Sequence, residues 1–354
     1  MATSEITLAI QPAQRFSITD VNHLLREEHG DFLHGFPKAL YTSFHTTAGY
    51  FEQAVCNELS HSRDSLQDFV RAYQKLYPAG AGYRHDMLEH RDELTEAQKV
   101  NEPLNGDSHL TFIGTGLLNC VTYDVKEDNP AYFVDLDGVF RSQRRTRKTT
   151  ITGFTEEVVA EERCIRVPAS RSRVDAFNLR DTRLGFLDEI DAHIQRLGIS
   201  KGRVELSLSN DERGAALTVN EYETLLMRHD LADVIRNPFR FVAEQGWHML
   251  RDPRSVPSKA LNYAKYDFVL VVNRLLDKLG LRGTPVEKVT DRLIGSAAAR
   301  RLHMKRAVSL PISDQATSGV GRVLHGTYQS PILIQWRSAA QEARCLEVKF
   351  VAFE

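Results

Sequence analysis

Two stretches decide how this chain folds: LYTSFHTTA (residues 40–48) and, about half a chain later, VELSLSNDERGAALTVNEYE (residues 204–223). In each, a strand-like apolar run enters a turn of small or polar residues. The second stretch carries Glu212-Arg213-Gly214 where the first has His45-Thr46-Thr47. It carries Asn220-Glu221 where the first has Gln53-Ala54. The two halves therefore read as a degenerate repeat whose copies hold complementary parts of one chemical apparatus.

Working outward from these stretches, the same order of elements recurs. VNHLLREEH, capped by Asp20, resembles FLDEIDAHIQRLG, and the helical region predicted over residues 52–76 resembles NEYETLLMRHDLADVIRNPFRFVAEQ. Asp20 lies 25 positions before His45, and Asp188 lies 24 before Glu212. Asp137-Gly138-Val139-Phe140 resembles Val320-Gly321-Arg322-Val323. EITLAI, YFVDLDGVF, ERCIRVPA, ILIQW and LEVKFVAF read as further strands. Fixed order at similar spacing is the mark of an internal duplication. The expected fold is α/β (α+β), with two tandem units, residues 1–168 and 174–354, each a mixed sheet packed with helices. The polar stretch PASRSR marks the boundary, and YDFVLVVNRLLDKLGL lengthens the second unit.

The 354 residues are 42% hydrophobic and 26% charged, ordinary for a globular chain of two domains. Lys plus Arg (45) nearly balances Asp plus Glu (47), which disfavours nucleic acid and anionic membrane as partners. The one basic block, RSQRRTRK (residues 141–148), reads first as a solvated loop or strand edge and second as a phosphate or carboxylate contact. Four scattered cysteines without a CxxC pair suit reduced thiols. No signal peptide is apparent and no apolar run nears the length of about 20 residues that spans a membrane, so a cytoplasmic protein is expected.

Three histidines stand at segment ends: His45 after its strand, His85 in a loop, and His109 before an apolar run. Such residues converging with one position left open are what a zinc enzyme uses to activate water or polarise a substrate oxygen. Asp107 is placed to orient one of them. The bland alternative is ordinary loop histidines with Asn or Asp partners. Thr46 and Thr47 offer hydroxyls and backbone N–H groups to an anion, or simply cap a strand end. Glu221, read as opening a helix with Asn220, is a general base, an extra ligand, or a favourable charge in a first turn. His325-Gly326-Thr327-Tyr328-Gln329 sets a glycine, a hydroxyl, a phenol and an amide between apolar strands, where hairpin chemistry is the plain reading.

Together these motifs resemble the YjbQ family, small proteins of about one copy's length that have been called secondary thiamine-phosphate synthases. The family pattern runs HTTA, NE, a Tyr-x-His loop, Asp-x-His-Leu and a GTWQ-like motif. The first copy matches at His45 to Ala48, Tyr83-Arg84-His85 and Asp107-Ser108-His109-Leu110, and departs at Gln53-Ala54 and at residues 143–146. The second matches at residues 216–221 and at HGTYQ, with Tyr328 for Trp, and lacks His-Thr-Thr and the Tyr-x-His loop. The resemblance implies a compact α/β fold, a homo-oligomer (a trimer), and a metal or anion at the histidine cluster.

The expectation is one composite site per chain. His45, His85 and His109 hold a divalent metal, zinc first by ligand type. Thr46 and Thr47 bind a substrate anion, Glu221 and Tyr328 act in catalysis, and Asn220, Thr327, Gln329 and His325 bind substrate. The substrate is a small phosphorylated or carboxylated metabolite, with elimination, hydrolysis and C–N bond formation all open. The alternative is a non-catalytic ligand- or partner-binding protein with decayed sites. The two separate on whether the first-copy histidines meet Glu221 and the HGTYQ segment in space or lie more than about 10–12 Å from them, since catalytic groups must reach one substrate.

Overall fold

The first half begins with β1 (Ser4–Ile10) and β2 (Ser17–Asp20), and the carboxylate of Asp20 caps α1 (Val21–His29) by accepting from the Asn22 and His23 N–H groups. β3 (Lys38–Ser43) enters the His-Thr-Thr turn and β4 (Ala48–Gly49) leaves it. The helix expected over residues 52–76 divides into α2 (Gln53–Glu58) and α3 (Arg63–Leu76). Ser60 and His61 take left-handed φ values of 56° and 51° between them, and the Ser62 hydroxyl starts the second helix by accepting from Ser65 N. After α4 (Glu96–Asn101) and α5 (Gly106–Thr115) come β5 (Cys120–Asp124), β6 (Tyr132–Asp135), β7 (Val139–Phe140), β8 (Gln143–Arg144) and β9 (Arg147–Phe154).

The second half runs β10 (Glu157–Pro168), β11 (Asp175–Asn178), α6 (Phe186–Leu197), β12 (Gly202–Leu208) and β13 (Ala215–Glu221). A wide helical turn (Leu225–Asp230) leads into α7 (Leu231–Arg236). β14 (Ala307–Ser313), β15 (Arg322–Val323), β16 (Gln329–Gln335) and β17 (Ala343–Phe353) follow. This computed structural model describes residues 3–126, 129–172, 174–236, 304–315, 319–338 and 343–354. The extra helical segment expected at residues 266–281 and the second-half helix beyond residue 236 lie outside the described residues.

Strand order repeats between the halves. The first has sheets β1-β9-β3-β5 and β2-β6-β4; the second has β10-β17-β12-β14-β15 and β11-β16-β13. The registers correspond: Tyr41 faces Ile151 and Val121 on its two flanks, as Val204 faces Phe350 and Leu310. These pairs are antiparallel, so the architecture is α/β in its α+β form. β10 pairs with β17, so membership of the second set begins at Glu157, ahead of the expected boundary at residues 168–173. Residues 169–172 of that polar stretch directly follow β10. The strand order also separates two segments that look alike in sequence. Asp137 to Phe140 follow β6, whereas Val320 to Val323 precede β16 and so are not their counterpart.

Each half has its own core, around Tyr41, Phe133 and Ile151 in the first and Ile190, Val204 and Phe350 in the second. Phe154 and Phe353 stack across the divide with centroids 3.8 Å apart. A third core joins Leu110 and Ile113 of α5 to Leu226, Leu231, Ile332 and Ile334 of the second half. Every residue of α5 is buried, which is why its sequence lacks the polar face that announces a helix. Cys164 and Cys345 form a disulfide between β10 and β17, contrary to the expectation of reduced thiols, while Cys56 and Cys120 are free and buried. Their chain separation of 181 residues hides a proximity that the strand register creates. Among the described residues no helix is long and apolar enough to cross a membrane.

Candidate metal centre

Where α5 meets β13, the structure brings His85, His109 and Glu221 together, with one donor atom from each lying within 4.8 Å of the others. His85 sits in a tight helical turn (Arg84–Asp86), and the backbone N–H groups of Arg84 and His85 donate to the buried Asp230 carboxylate of the second half at 3.0 and 2.9 Å. Asp86 accepts from His85 Nδ1 at 3.0 Å and from Gly106 N at 2.9 Å, tying that turn to the start of α5. His109 Nδ1 donates to Asn220 Oδ1 at 2.7 Å, and Asn220 Nδ2 donates to Thr46 O at 3.0 Å. Both rings are therefore fixed through Nδ1 with Nε2 facing the shared space, as an outer ring of acceptors does for metal-bound histidines. The ring centroids are 4.9 Å apart. Glu221 Oε2 lies 3.4 Å from His109 Nε2, which is buried and has no hydrogen-bond partner.

Asn220 and Glu221 end a strand rather than open a helix. The strand alternation sends Asn220 inward, and the capping role falls instead to Glu223, which accepts from Leu225 N and Leu226 N. Asp107, expected to orient a histidine, pairs with Arg15 at 2.8 Å, and the orienting groups are Asp86 and Asn220. Burial lowers His109 to about 4, against a counteracting Glu221. Burial also opposes the charged form of His85, but Asp86 and Glu221 outweigh it and hold its pKa above the usual histidine range. For Glu221 burial favours the neutral acid, yet His109, His85 and Arg91 outweigh it and keep its pKa below the usual range.

Arg91 was not foreseen. Its side chain is 2% exposed, with Nη2 3.1 Å from Glu221 Oε1 and Nη1 3.3 Å from Glu102 Oε1. Nε reaches Glu93 at 2.6 Å, and Nη1 lies 3.4 Å from His85 Nε2. Nothing in a loop reading of DMLEHRDEL singles out that arginine, because its acidic partners come from both halves.

His45, expected beside the other two histidines, faces elsewhere. Its Nε2 accepts from Lys148 N at 2.8 Å, and Nδ1 lies 3.5 Å from Arg147 Nη1. The reason is the basic block, which returns along β9 beside the turn. Arg147 is buried rather than solvated, with bonds of 2.7 and 2.9 Å to the Asp135 carboxylate and 2.6 Å to Asp137 O. Its Nη2 lies 3.5 Å from the hydroxyl of buried Thr47. Burial, then Arg147, Arg145 and Lys148, push the His45 pKa down to about 3. An imidazole kept neutral in the fold but protonated below its ordinary 6.5 when unfolded costs stability on acidification. That contribution is complete above pH 6.5 and declines toward pH 3, by about 1.4 kcal/mol per unit. Denaturant unfolding at pH 7 and pH 5 should show wild type losing about 2 kcal/mol more than His45→Gln. Equal losses would contradict it.

The HGTYQ turn divides. Gln329 points inward, accepting from Gly326 N at 2.8 Å and donating to Ser43 O at 2.9 Å and His45 O at 3.1 Å, so it pins the first half's turn rather than meeting substrate. Thr327 and Tyr328 are exposed, Tyr328 by 63%, and His325 is half-buried with Nδ1 3.2 Å from Gly326 O. A Cβ on Gly326 would stand 2.0 Å from Phe44 O, so this close backbone approach admits only glycine. Gly326→Ala is expected to destabilise the protein by about 1–3 kcal/mol in urea unfolding; an unchanged midpoint would show that the two halves do not dock here. In the second half the position matching His45 is held by Glu212, which pairs with buried Arg344 and accepts from Cys345 N.

No family model matches the chain, and no curated protein is similar to it. Solved structures are. The likeness is to YjbQ-like proteins. A YbjQ-like protein of unknown function from Sulfolobus solfataricus P2 is 14% identical, with a TM-score of 0.32, over 56% of this chain and 99% of its own. A hypothetical protein from Aeropyrum pernix K1 is 16% identical (TM-score 0.30) over 55% of this chain and 99% of its own. An uncharacterized conserved protein of the YjbQ family from Clostridium acetobutylicum is 12% identical (TM-score 0.25) over 55% and 99%. At such identities no residue takes a role from these proteins.

Proposed function

We propose that this chain is a metal-dependent enzyme with one composite site, formed after tandem duplication of a YjbQ-like unit. In this reading His85 and His109 of the first half and Glu221 of the second hold a divalent ion, zinc first by donor type. The observation that carries it is His109 Nε2, buried without a hydrogen-bond partner and facing a carboxylate and a second imidazole. Two imidazole nitrogens and a carboxylate oxygen are three protein donors, the number a catalytic rather than a structural ion takes. Bound there, the ion would supply Lewis acidity and an activated water.

The chain's own residues do the rest. Asn220 fixes the His109 tautomer, Asp86 fixes that of His85, and Asp230 holds the His85 turn. Thr46 and Thr47 remain the hydroxyls assigned to the anionic group of a small phosphorylated or carboxylated substrate, with Thr327 and Tyr328 on the exposed turn. Elimination, hydrolysis and C–N bond formation all fit such a centre. The 3.4 Å between His109 and Glu221 supports one shared site over two decayed ones. The Glu212–Arg344 pair supports the loss of a second. A trimer, by resemblance to the family, belongs to the same proposal. The test is metal analysis of the purified protein: about one ion per chain is expected, lost in His109→Ala, and a metal content unchanged by that substitution would sink the assignment.

A further inference from the structure

The segment joining His85 to α5 places a fixed cation where the metal is proposed to bind. Arg91 Nη1 is 3.4 Å from His85 Nε2, and Nη2 is 3.1 Å from Glu221 Oε1. We propose that Arg91 is the resident counter-ion of the metal-free site and competes directly with the metal, so that metal entry requires its guanidinium to withdraw. This rests on the metal reading above.

An imidazole nitrogen has a single lone pair, so His85 Nε2 either accepts from Arg91 or ligates a metal, not both. A guanidinium cannot shed its proton, so it cannot yield by becoming neutral. A divalent ion about 2.1 Å from Nε2 would meet that charge at close range in a buried site where screening is weak. The pocket also provides for the withdrawal. Arg91 already touches Glu93 at 2.6 Å and Glu102 at 3.3 Å, on the side of its own segment. A small retreat toward these two keeps the guanidinium paired while freeing Glu221 and His85. Three carboxylates around one guanidinium leave negative charge in excess, which favours a second cation once the arginine has moved.

Zn²⁺ alone, titrated in competition with a chelating indicator, tests this in wild type, Arg91→Met and Arg91→Lys, with circular dichroism as the control for folding. Arg91→Met should bind Zn²⁺ at least 10-fold more tightly than wild type. Arg91→Lys keeps the charge but loses the fork, and should fall between them. Should the methionine variant fail to fold, the lysine variant carries the comparison. Damage to the fold would weaken binding, so a gain in affinity separates competition from a merely structural role. Zn²⁺ binding to wild type with equal or weaker binding in the folded variants would overturn the competition and leave the metal site standing. Absence of binding in every form would overturn both.

Discussion

Glu221→Ala is expected to lower zinc affinity by more than about 100-fold, and Asn220→Ala by about 10–100-fold, while His45→Ala leaves it near wild type. The three variants separate the roles that the geometry assigns. Glu221 supplies a donor atom from the second half, 3.4 Å from His109 Nε2. Asn220 touches no metal in this account but accepts from His109 Nδ1 at 2.7 Å, and losing such a partner costs about 10–100-fold in affinity. Losing a donor exceeds that range. His45 spends Nε2 on Lys148 N, so its removal should register in stability rather than in metal binding. Competition titration with a chelating indicator reads all three. A His45→Ala loss as large as that of Glu221→Ala would put the centre in the wrong place.

Arg147→Met should destabilise the protein by about 3–5 kcal/mol, because it strands the Asp135 carboxylate in the interior without its cation. The two side chains are 5% and 2% exposed. The same arginine holds Asp137 O and approaches the Thr47 hydroxyl, so the His-Thr-Thr turn should loosen with it. Replacing both partners, Arg147→Met with Asp135→Leu, should recover most of the loss, since a buried pair exchanged for apolar groups of similar size is often neutral. Urea unfolding measures both. A single-variant loss below about 1 kcal/mol, the range of an exposed ion pair, would contradict the burial.

Strands such as β12 were legible because they carry the period of a half-buried sheet; β12 alternates buried and partly exposed residues along its whole length. The His-Thr-Thr turn, His85, His109 and the Asn220-Glu221 pair could be picked out as polar residues at the ends of apolar runs. Their grouping could not. His109 sits on a helix with no polar face, and so its period is invisible. His45 is held by the basic block, which returns about 100 residues later along β9 and leaves no local mark beside the turn. Arg91 escaped notice because its role depends on Glu221, which lies 130 residues away. The break at Ser60 and His61 escaped because left-handed φ at non-glycine residues leaves little trace in sequence. What the pattern of a strand or helix carries is local; the centre is built from contacts between halves, and only the repeated order pointed there.

The most direct test of the composite centre is X-ray absorption at the zinc edge, on zinc-loaded wild type and His45→Ala. Two imidazole nitrogens at about 2.0–2.1 Å with oxygen ligands completing the shell are expected, and the same spectrum in the variant. Three imidazoles in wild type, with one lost in His45→Ala, would contradict it.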